Sequence, residues 1–107
     1  MITDFFKGIN VAVTVSDTEG NVVYQNDSSI DVNGDVRGKN MMGCHNERSQ
    51  QIIRHMLAEA ATNVYTISKK GKKKLIYQTP WLENGVVKGL VEFSIIIPET
   101  MPHYDRG

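Results

Sequence analysis

Residues 11–26 read VAVTVSDTEGNVVYQN, and this stretch predicts the centre of the fold. Its first six residues alternate valine with smaller side chains, which is the period of a strand with one buried face. Asp17 can accept hydrogen bonds from the backbone of the turn that follows it, and Gly20 can take a positive φ there. The strand pattern then resumes at Val22. We therefore predict a tight antiparallel hairpin, with strands near residues 11–16 and 21–26.

The segment before this hairpin is a short arm, residues 1–10, with four apolar side chains at helical spacing: Ile2, Phe5, Phe6 and Ile9. The spacing predicts a short amphipathic helix, with Thr3 as its N-cap and Gly8 as its end. An arm of this length cannot stay folded alone. It is therefore either a lid on its own domain or a contact with a second subunit.

The middle of the chain predicts one irregular region and one regular helix. Residues 27–43 are rich in glycine, aspartate and asparagine, which favours a loop with short helical turns. An apolar stripe then predicts the principal helix at about 47–61, capped by Asn46.

The last part of the chain predicts three strands, near residues 64–69, 74–82 and 86–97. A basic turn around Gly71 separates the first two, and the pair Asn84-Gly85 favours a tight turn before the third. Alternation along the last strand puts Val91 and Phe93 on one face and Glu92 on the other. The five strands predict an antiparallel sheet with the helices collected on one face, an α+β architecture.

Composition indicates an ordinary globular chain of one domain. The chain has 107 residues, a formal net charge of zero and a single cysteine, Cys44. We expect an arm (1–10), a domain (11–98) and a tail (99–107). One cysteine cannot form an internal disulfide, and no apolar run is long enough for a signal peptide or a membrane span. These features predict a cytoplasmic protein without a membrane partner, and the zero net charge disfavours a nucleic-acid partner.

The hairpin motif, DxxGxVxYxN from Asp17 to Asn26, resembles the signature of the first hairpin in the PAS domain family. Val87-Lys88-Gly89, before the last strand, is similar to the PAS C-terminal half, and the element order also agrees. The resemblance covers about residues 10–98. It implies a PAS-like five-stranded antiparallel sheet, in a sensory or interaction module that binds a small ligand or a protein partner in signal transduction, without catalysis. The chain is then either a piece of a larger signalling protein or a stand-alone partner.

A space between the sheet and the helices is the expected ligand site. The candidate pocket residues are apolar or aromatic: Met41, Met42, Ile52, Met56, Tyr77, Val91 and Phe93. The ligand itself stays unknown. A homodimer is expected through the arm and the sheet, together with a signalling output partner.

Cofactor chemistry is not predicted, although haem and flavin stay open as alternatives. Gly38-Lys39-Asn40-Met41 resembles the Gly-Arg-Asn-Cys of flavin-binding light sensors, but a methionine stands where the photochemistry needs a thiol. His55 lies on the long helix, where haem-binding members of the PAS family place a ligand. However, about the helix axis it lies well away from the centre of the apolar stripe. His45 is the second haem candidate. The histidines and Cys44 lack zinc-site spacing, so no metal is predicted.

Cys44-His45 is the one nucleophile-and-base pair in the sequence, and a small thiol-dependent enzyme is the competing hypothesis. Adjacent residues rarely face one another, and no acidic residue can be assigned to orient His45. We therefore predict that no residue is catalytic and that Cys44 is a small buried residue. The lysine-rich run 69–74 contains no aromatic residue and predicts a solvated turn rather than a phosphate-binding surface.

Overall fold

The fold is an antiparallel sheet with its helices on one face. The structure is a computed structural model and describes residues 3–44 and 46–107. In chain order the elements are β1 (Ala12–Asp17), β2 (Val22–Gln25), α1 (Asp27–Asn33), a 3₁₀ turn (Met42–Cys44), α2 (Glu47–Glu59), β3 (Asn63–Lys69), β4 (Lys72–Glu83) and β5 (Val86–Ile96). The spatial order of the strands is β2-β1-β5-β4-β3, and every neighbouring pair is antiparallel. The predicted PAS-like α+β architecture is therefore confirmed.

The turn between β1 and β2 is held by the side chain of Asp17. Its Oδ1 accepts hydrogen bonds from the backbone N–H groups of Glu19 and Asn21, both at 2.9 Å. Burial alone would raise the pKa of Asp17, but hydrogen bonds from Asn21, Glu19 and Gly20 outweigh it and lower the pKa. Gly20 has φ +90°, and a Cβ there would lie 2.5 Å from Cγ of Met42. The turn therefore requires glycine for its conformation and for its contact with the 3₁₀ turn.

Asn26 joins the hairpin to α1 and is fully buried. Its Oδ1 accepts from the N–H of Ser29 at 3.0 Å, which caps the helix, and from the N–H of Val13 at 2.9 Å. Its amide nitrogen donates to the carbonyls of Phe6 at 2.8 Å and Val11 at 2.7 Å. One side chain thus ties together the arm, β1 and α1, with both of its polar ends satisfied.

The arm does not form the predicted helix in its described part, residues 3–10, which consists of turns and bends. Asp4 organises the turn instead of Thr3, because its Oδ1 accepts from the N–H of Phe6 at 3.0 Å. A helix this short cannot offset the cost of its own nucleation. Lys7 pairs with Asp27 at 3.1 Å, and the Tyr24 hydroxyl donates to Asp4 Oδ2 at 2.7 Å, so the arm is fastened by polar contacts. Ile2 lies outside the described residues.

The principal helix, α2, begins as predicted and ends slightly earlier. Asn46 is its N-cap and accepts from the N–H of Ser49 at 2.8 Å. The helix stops because Ala60 takes a left-handed conformation with φ 52°, and its N–H bonds the carbonyl of Met56. Met56 is the fully buried residue of the helix. Preceding α2, the region predicted as irregular contains α1, one regular helix of 7 residues, before its loop.

The two later hairpins turn through residues with positive φ. Lys70 and Gly71 have φ 52° and 76°, and Asn84 and Gly85 have φ 52° and 78°. Positive φ at both central residues matches the right-handed twist of the strands that a tight hairpin joins. The predicted Asn-Gly turn is confirmed. No helix in residues 3–44 and 46–107 is long and apolar enough to cross a bilayer.

Candidate functional site

A cavity of about 220 Å³ lies between the inner face of the sheet and the helical layer. The strands contribute its floor, and α1, α2 and the loop between them contribute its walls. Its lining residues are Thr14, Ser16, Gly20, Val22, Asn33, Val36, Met41, Met42, Ile53, Gln78, Leu90 and Glu92. Most of the wall is apolar, whereas polar groups cluster on the floor, which is the usual composition of a small-molecule site.

A row of polar side chains crosses the inner face of all five strands in direct register. From β3 to β2 the paired positions are Asn63, Gln78, Glu92, Thr14 and Gln25. Directly paired residues of antiparallel strands point to the same face, so these side chains form one continuous stripe. Three of them, Gln78, Glu92 and Thr14, line the cavity.

The half of this row on β3, β4 and β5 is a directed chain of hydrogen bonds that ends at Glu92. Asn63 Nδ2 donates to Gln78 Oε1 at 3.0 Å, and Gln78 Nε2 donates to Glu92 Oε1 at 2.7 Å. A carboxylate only accepts, so Gln78 must present its nitrogen to Glu92 and its oxygen to Asn63. The orientation of both amides follows from the charge at the end of the chain.

In the other half of the row, Thr14 and Gln25 form hydrogen bonds with Ser29 of α1, which is fully buried. Ser29 Oγ lies 2.6 Å from Thr14 Oγ1 and accepts from Gln25 Nε2 at 2.9 Å. Gln25 also donates to the carbonyl of Gly34 at 3.0 Å and accepts from the N–H of Val36 at 2.8 Å. These contacts hold α1 and the start of the following loop against the β2 end of the sheet, so this wall of the cavity is rigidly placed.

Glu92 is the one charged side chain among the described residues that line the cavity. Within the described ranges, no lysine, arginine or histidine lies within ion-pair distance of its carboxylate. Lys74 lies two inner-face positions away along β4, in a smaller adjoining pocket that Glu92 also lines. The negative field extends to β3: burial, and then the charge of Glu92, raise the pKa of Tyr65. The cavity therefore combines an apolar wall with one uncompensated negative charge on its floor.

The predicted pocket residues divide between the cavity and other places. Met41 and Met42 line the cavity. Ile52 faces an adjoining pocket on the β3 side, and its neighbour Ile53 lines both spaces. Met56 is buried in the core under α2.

Tyr77, Val91 and Phe93 lie on the other face of the sheet from this cavity. Gln78, Leu90 and Glu92 line the cavity, and their immediate neighbours along β4 and β5 must point to the opposite face. The polar residues that the prediction missed carry a recognisable signal. Polar side chains at the centres of three predicted strands fall into register once the hairpin turns are fixed.

Of the candidates for other chemistry, the structure places one, His55, away from the cavity. His55 is exposed on α2 and does not line it. His45 lies outside the described residues, so the geometry of the Cys44-His45 pair and of the second haem candidate is not described. Across the described residues, no group of three or more His, Cys, Asp or Glu side chains is arranged to hold a metal ion.

Solved structures with the same arrangement identify the fold. The PAS domain of the histidine kinase ThkA matches at TM-score 0.66 and 13% identity, over 81% of this chain and 99% of that one. A Vibrio cholerae structure of Aer2, described as a dual PAS-haem oxygen sensor, matches at TM-score 0.64 and 14% identity, over 85% and 97%. The chain has a PAS-like fold. No protein-family model matches the sequence, and neither does any curated protein.

In another solved structure, that of VqmA, the matching fold is part of a longer chain. VqmA from Vibrio cholerae, in a complex with ligand and DNA, matches at TM-score 0.67 and 16% identity, over 89% of this chain. This chain covers 49% of the length of VqmA. VqmA binds DNA, so the expectation that nucleic acid is absent among the partners does not fit this neighbour.

Proposed function

We propose that this chain is a sensory module that binds a small ligand in the cavity between its sheet and helices, without catalysis of its own. The carrying observation is the cavity of about 220 Å³ with an apolar wall and a polar floor. An apolar cavity of roughly 150 Å³ is large enough to bind benzene, so this one is large enough for a compound with one ring. The PAS-like fold supports the same proposal.

The conformational element coupled to the ligand is the loop that follows α1. Met41 and Met42 form part of the cavity wall, and Met42 rests on Gly20 of the β1–β2 turn. Methionine side chains adapt to irregular shapes. A ligand that moves Met42 thereby acts on the turn, and through β2 on Tyr24, which binds the arm through Asp4. This route gives ligand binding a connection to the surface of the module.

The test is native mass spectrometry and an absorbance spectrum of the freshly purified protein. A bound small molecule, colourless and released on denaturation, supports the proposal. Val36→Phe, which fills the cavity, should abolish its retention, whereas Val86→Phe, at an exposed position, should leave it unchanged. A Soret band or released flavin would favour the cofactor alternatives. Retention of the ligand by Val36→Phe would contradict binding in this cavity.

We also propose that the module forms a homodimer through its arm. Phe5, Phe6 and Ile9 are 78%, 53% and 39% exposed, although the arm is fastened to the domain by polar contacts. A lid would bury these side chains on its own domain. Two copies that meet through the arm would cover an apolar surface that the monomer leaves in water.

The dimer is tested by light scattering of a Phe5→Ser and Phe6→Ser double variant, which preserves the backbone carbonyl that Asn26 binds. We expect a dimer mass for the parent chain and a monomer mass for the variant. Met101→Ser, on the exposed tail, is the matched control and should stay dimeric. A monomeric parent chain would contradict the proposal.

A further inference from the structure

The hydrogen bonds on the cavity floor run in one direction and end at the charged side chain, Glu92. Asn63 donates to Gln78 and Gln78 donates to Glu92, so the chain of amides terminates in a group that can only accept. A carboxylate has about four lone-pair sites, and one hydrogen bond from Gln78 uses a single site. Glu92 can therefore take further donors from the cavity side.

The charge of Glu92 has no counterpart inside the cavity. The other lining residues in the described chain are neutral, and the described ion pairs, Lys7–Asp27 and Arg37–Asp35, do not involve the cavity. A half-buried carboxylate attracts a cation more strongly than a fully solvated one, because the surroundings screen it less. An anionic ligand would be repelled by the same charge.

We propose that the ligand of this cavity is a small organic cation, with a protonated nitrogen that donates to Glu92 and an apolar body of about one ring. The apolar body contacts the six apolar side chains that line the cavity: Val22, Val36, Met41, Met42, Ile53 and Leu90. The nitrogen lies between Glu92 and Thr14, which are directly paired across β5 and β1. This inference rests on the proposed function, because it names the ligand class of the same cavity.

The test uses four probes of similar shape: benzylamine, benzyl alcohol, toluene and benzoate. Binding is followed by NMR of the intact chain with ¹³C-labelled methionine methyl groups. Met41 and Met42 report on the cavity wall, and Met101 reports on the exposed tail. We expect benzylamine to shift the signals of Met41 and Met42 with a saturable dependence, and to leave Met101 unchanged.

Glu92→Gln tests the charge while it keeps the shape and an oxygen that can still accept from Gln78. A charge-assisted hydrogen bond is worth about one power of ten or more in affinity, so we expect Glu92→Gln to weaken benzylamine about tenfold or more. The affinity for toluene should change by less than about twofold. Glu83→Gln, the same change at an exposed position on β4, should leave all affinities unchanged.

The outcomes separate the ligand class from the cavity itself. If toluene and benzyl alcohol bind as well as benzylamine, and Glu92→Gln has no effect, the cationic ligand is wrong while the cavity still binds small molecules. Benzoate binding more tightly than benzylamine would also overturn it. If none of the probes shifts Met41 or Met42, and Val36→Phe retains any co-purified ligand, both this inference and the proposed function fail.

Discussion

The two ends of the sheet are built differently. At the β2 end, the chain that follows α1 returns and pairs with the edge: Gly38 N–H donates to the Val22 carbonyl at 2.8 Å, and Val22 N–H to the Lys39 carbonyl at 2.9 Å. Asn26 and Ser29 are fully buried beneath it. At the β3 end, β4 is the one strand of the described residues that pairs with β3, and every β3 residue after Asn63 is exposed.

The difference shows which part of this small domain holds its structure in place. The β2 end is closed by polar side chains whose hydrogen bonds are all made within about 30 residues of sequence. The β3 end keeps exposed Val64, Tyr65 and Ile67 on a free strand edge. The first end is a rigid frame, and the second is a surface open to partners.

The largest expected effect comes from removing the asparagine that locks the β2 end. Asn26→Ala leaves two N–H groups and two carbonyls without the partner they have now. We expect a loss of about 3–4 kcal/mol in the free energy of unfolding, measured with urea. Asn63→Ala, the matched change at the β3 end, should cost about 1 kcal/mol or less.

A milder variant keeps this comparison measurable if Asn26→Ala does not fold. Asn26→Ser retains an N-cap acceptor for Ser29 but loses the donor to Phe6 and Val11, and its loss of stability should lie between those of the other two variants. Equal losses for Asn26→Ala and Asn63→Ala would contradict the difference between the ends.

The next effect is a pH dependence of stability that comes from the hydrogen bond between Tyr24 and Asp4 of the arm. Burial, the hydrogen bond to Asp4 and the charges of Asp4 and Asp27 raise the pKa of Tyr24 to about 12. The native state therefore holds this proton more tightly than the unfolded chain, whose tyrosine pKa is about 10. The stabilisation is complete below pH ~10 and is lost as the pH rises toward about 12.

Thermal unfolding of the parent chain and of Tyr24→Phe between pH 8 and 12 measures this dependence. At pH 8 the parent chain should be more stable than Tyr24→Phe by about 0.5–1 kcal/mol. This difference in stability should narrow above pH ~10. Tyr104→Phe, on the exposed tail, should follow the parent chain throughout. A gap that is constant with pH would contradict the raised pKa.

An effect of similar size and opposite sign is a gain of stability at the junction between α2 and β3. Ala60 adopts φ 52°, a left-handed conformation that costs an L-residue about 1–2 kcal/mol relative to glycine. Ala60→Gly should therefore stabilise the chain by about 1 kcal/mol in urea unfolding. Ala58→Gly, within α2 at an ordinary helical position, should instead destabilise it by about 0.5–1 kcal/mol. The same sign for both changes would refute the conformational explanation.

The β2 end could be predicted from the sequence because its contacts are local. Asp17, Gly20 and Asn26 each have a turn or cap role that follows from residue type. The three hairpins and α2 were predictable for the same reason. The arm was not, because its conformation depends on contacts with Tyr24 and Asp27 rather than on its own periodicity.

The candidate site was harder to predict because alternation alone does not say which face of a sheet meets the helices. The apolar side of β5, with Val91 and Phe93, suggested the covered face. The helices instead cover the side with Glu92, where hydrogen bonds to Gln78 make burial of polar groups tolerable. That choice depends on pairing across five strands, which no single segment contains.

The lysine run has a consequence for the behaviour of the protein in concentrated solution. Five lysines, Lys69, Lys70, Lys72, Lys73 and Lys74, lie at the hairpin that ends the open β3 edge. The chain has a formal net charge of zero, so this local charge, rather than the whole molecule, repels a second copy that approaches edge to edge. The repulsion reaches about 8 Å at physiological ionic strength and only about 3 Å at 1 M salt. Colloidal stability should therefore decline as salt is added, and the β3 edge is where the first intermolecular strand pairing should occur.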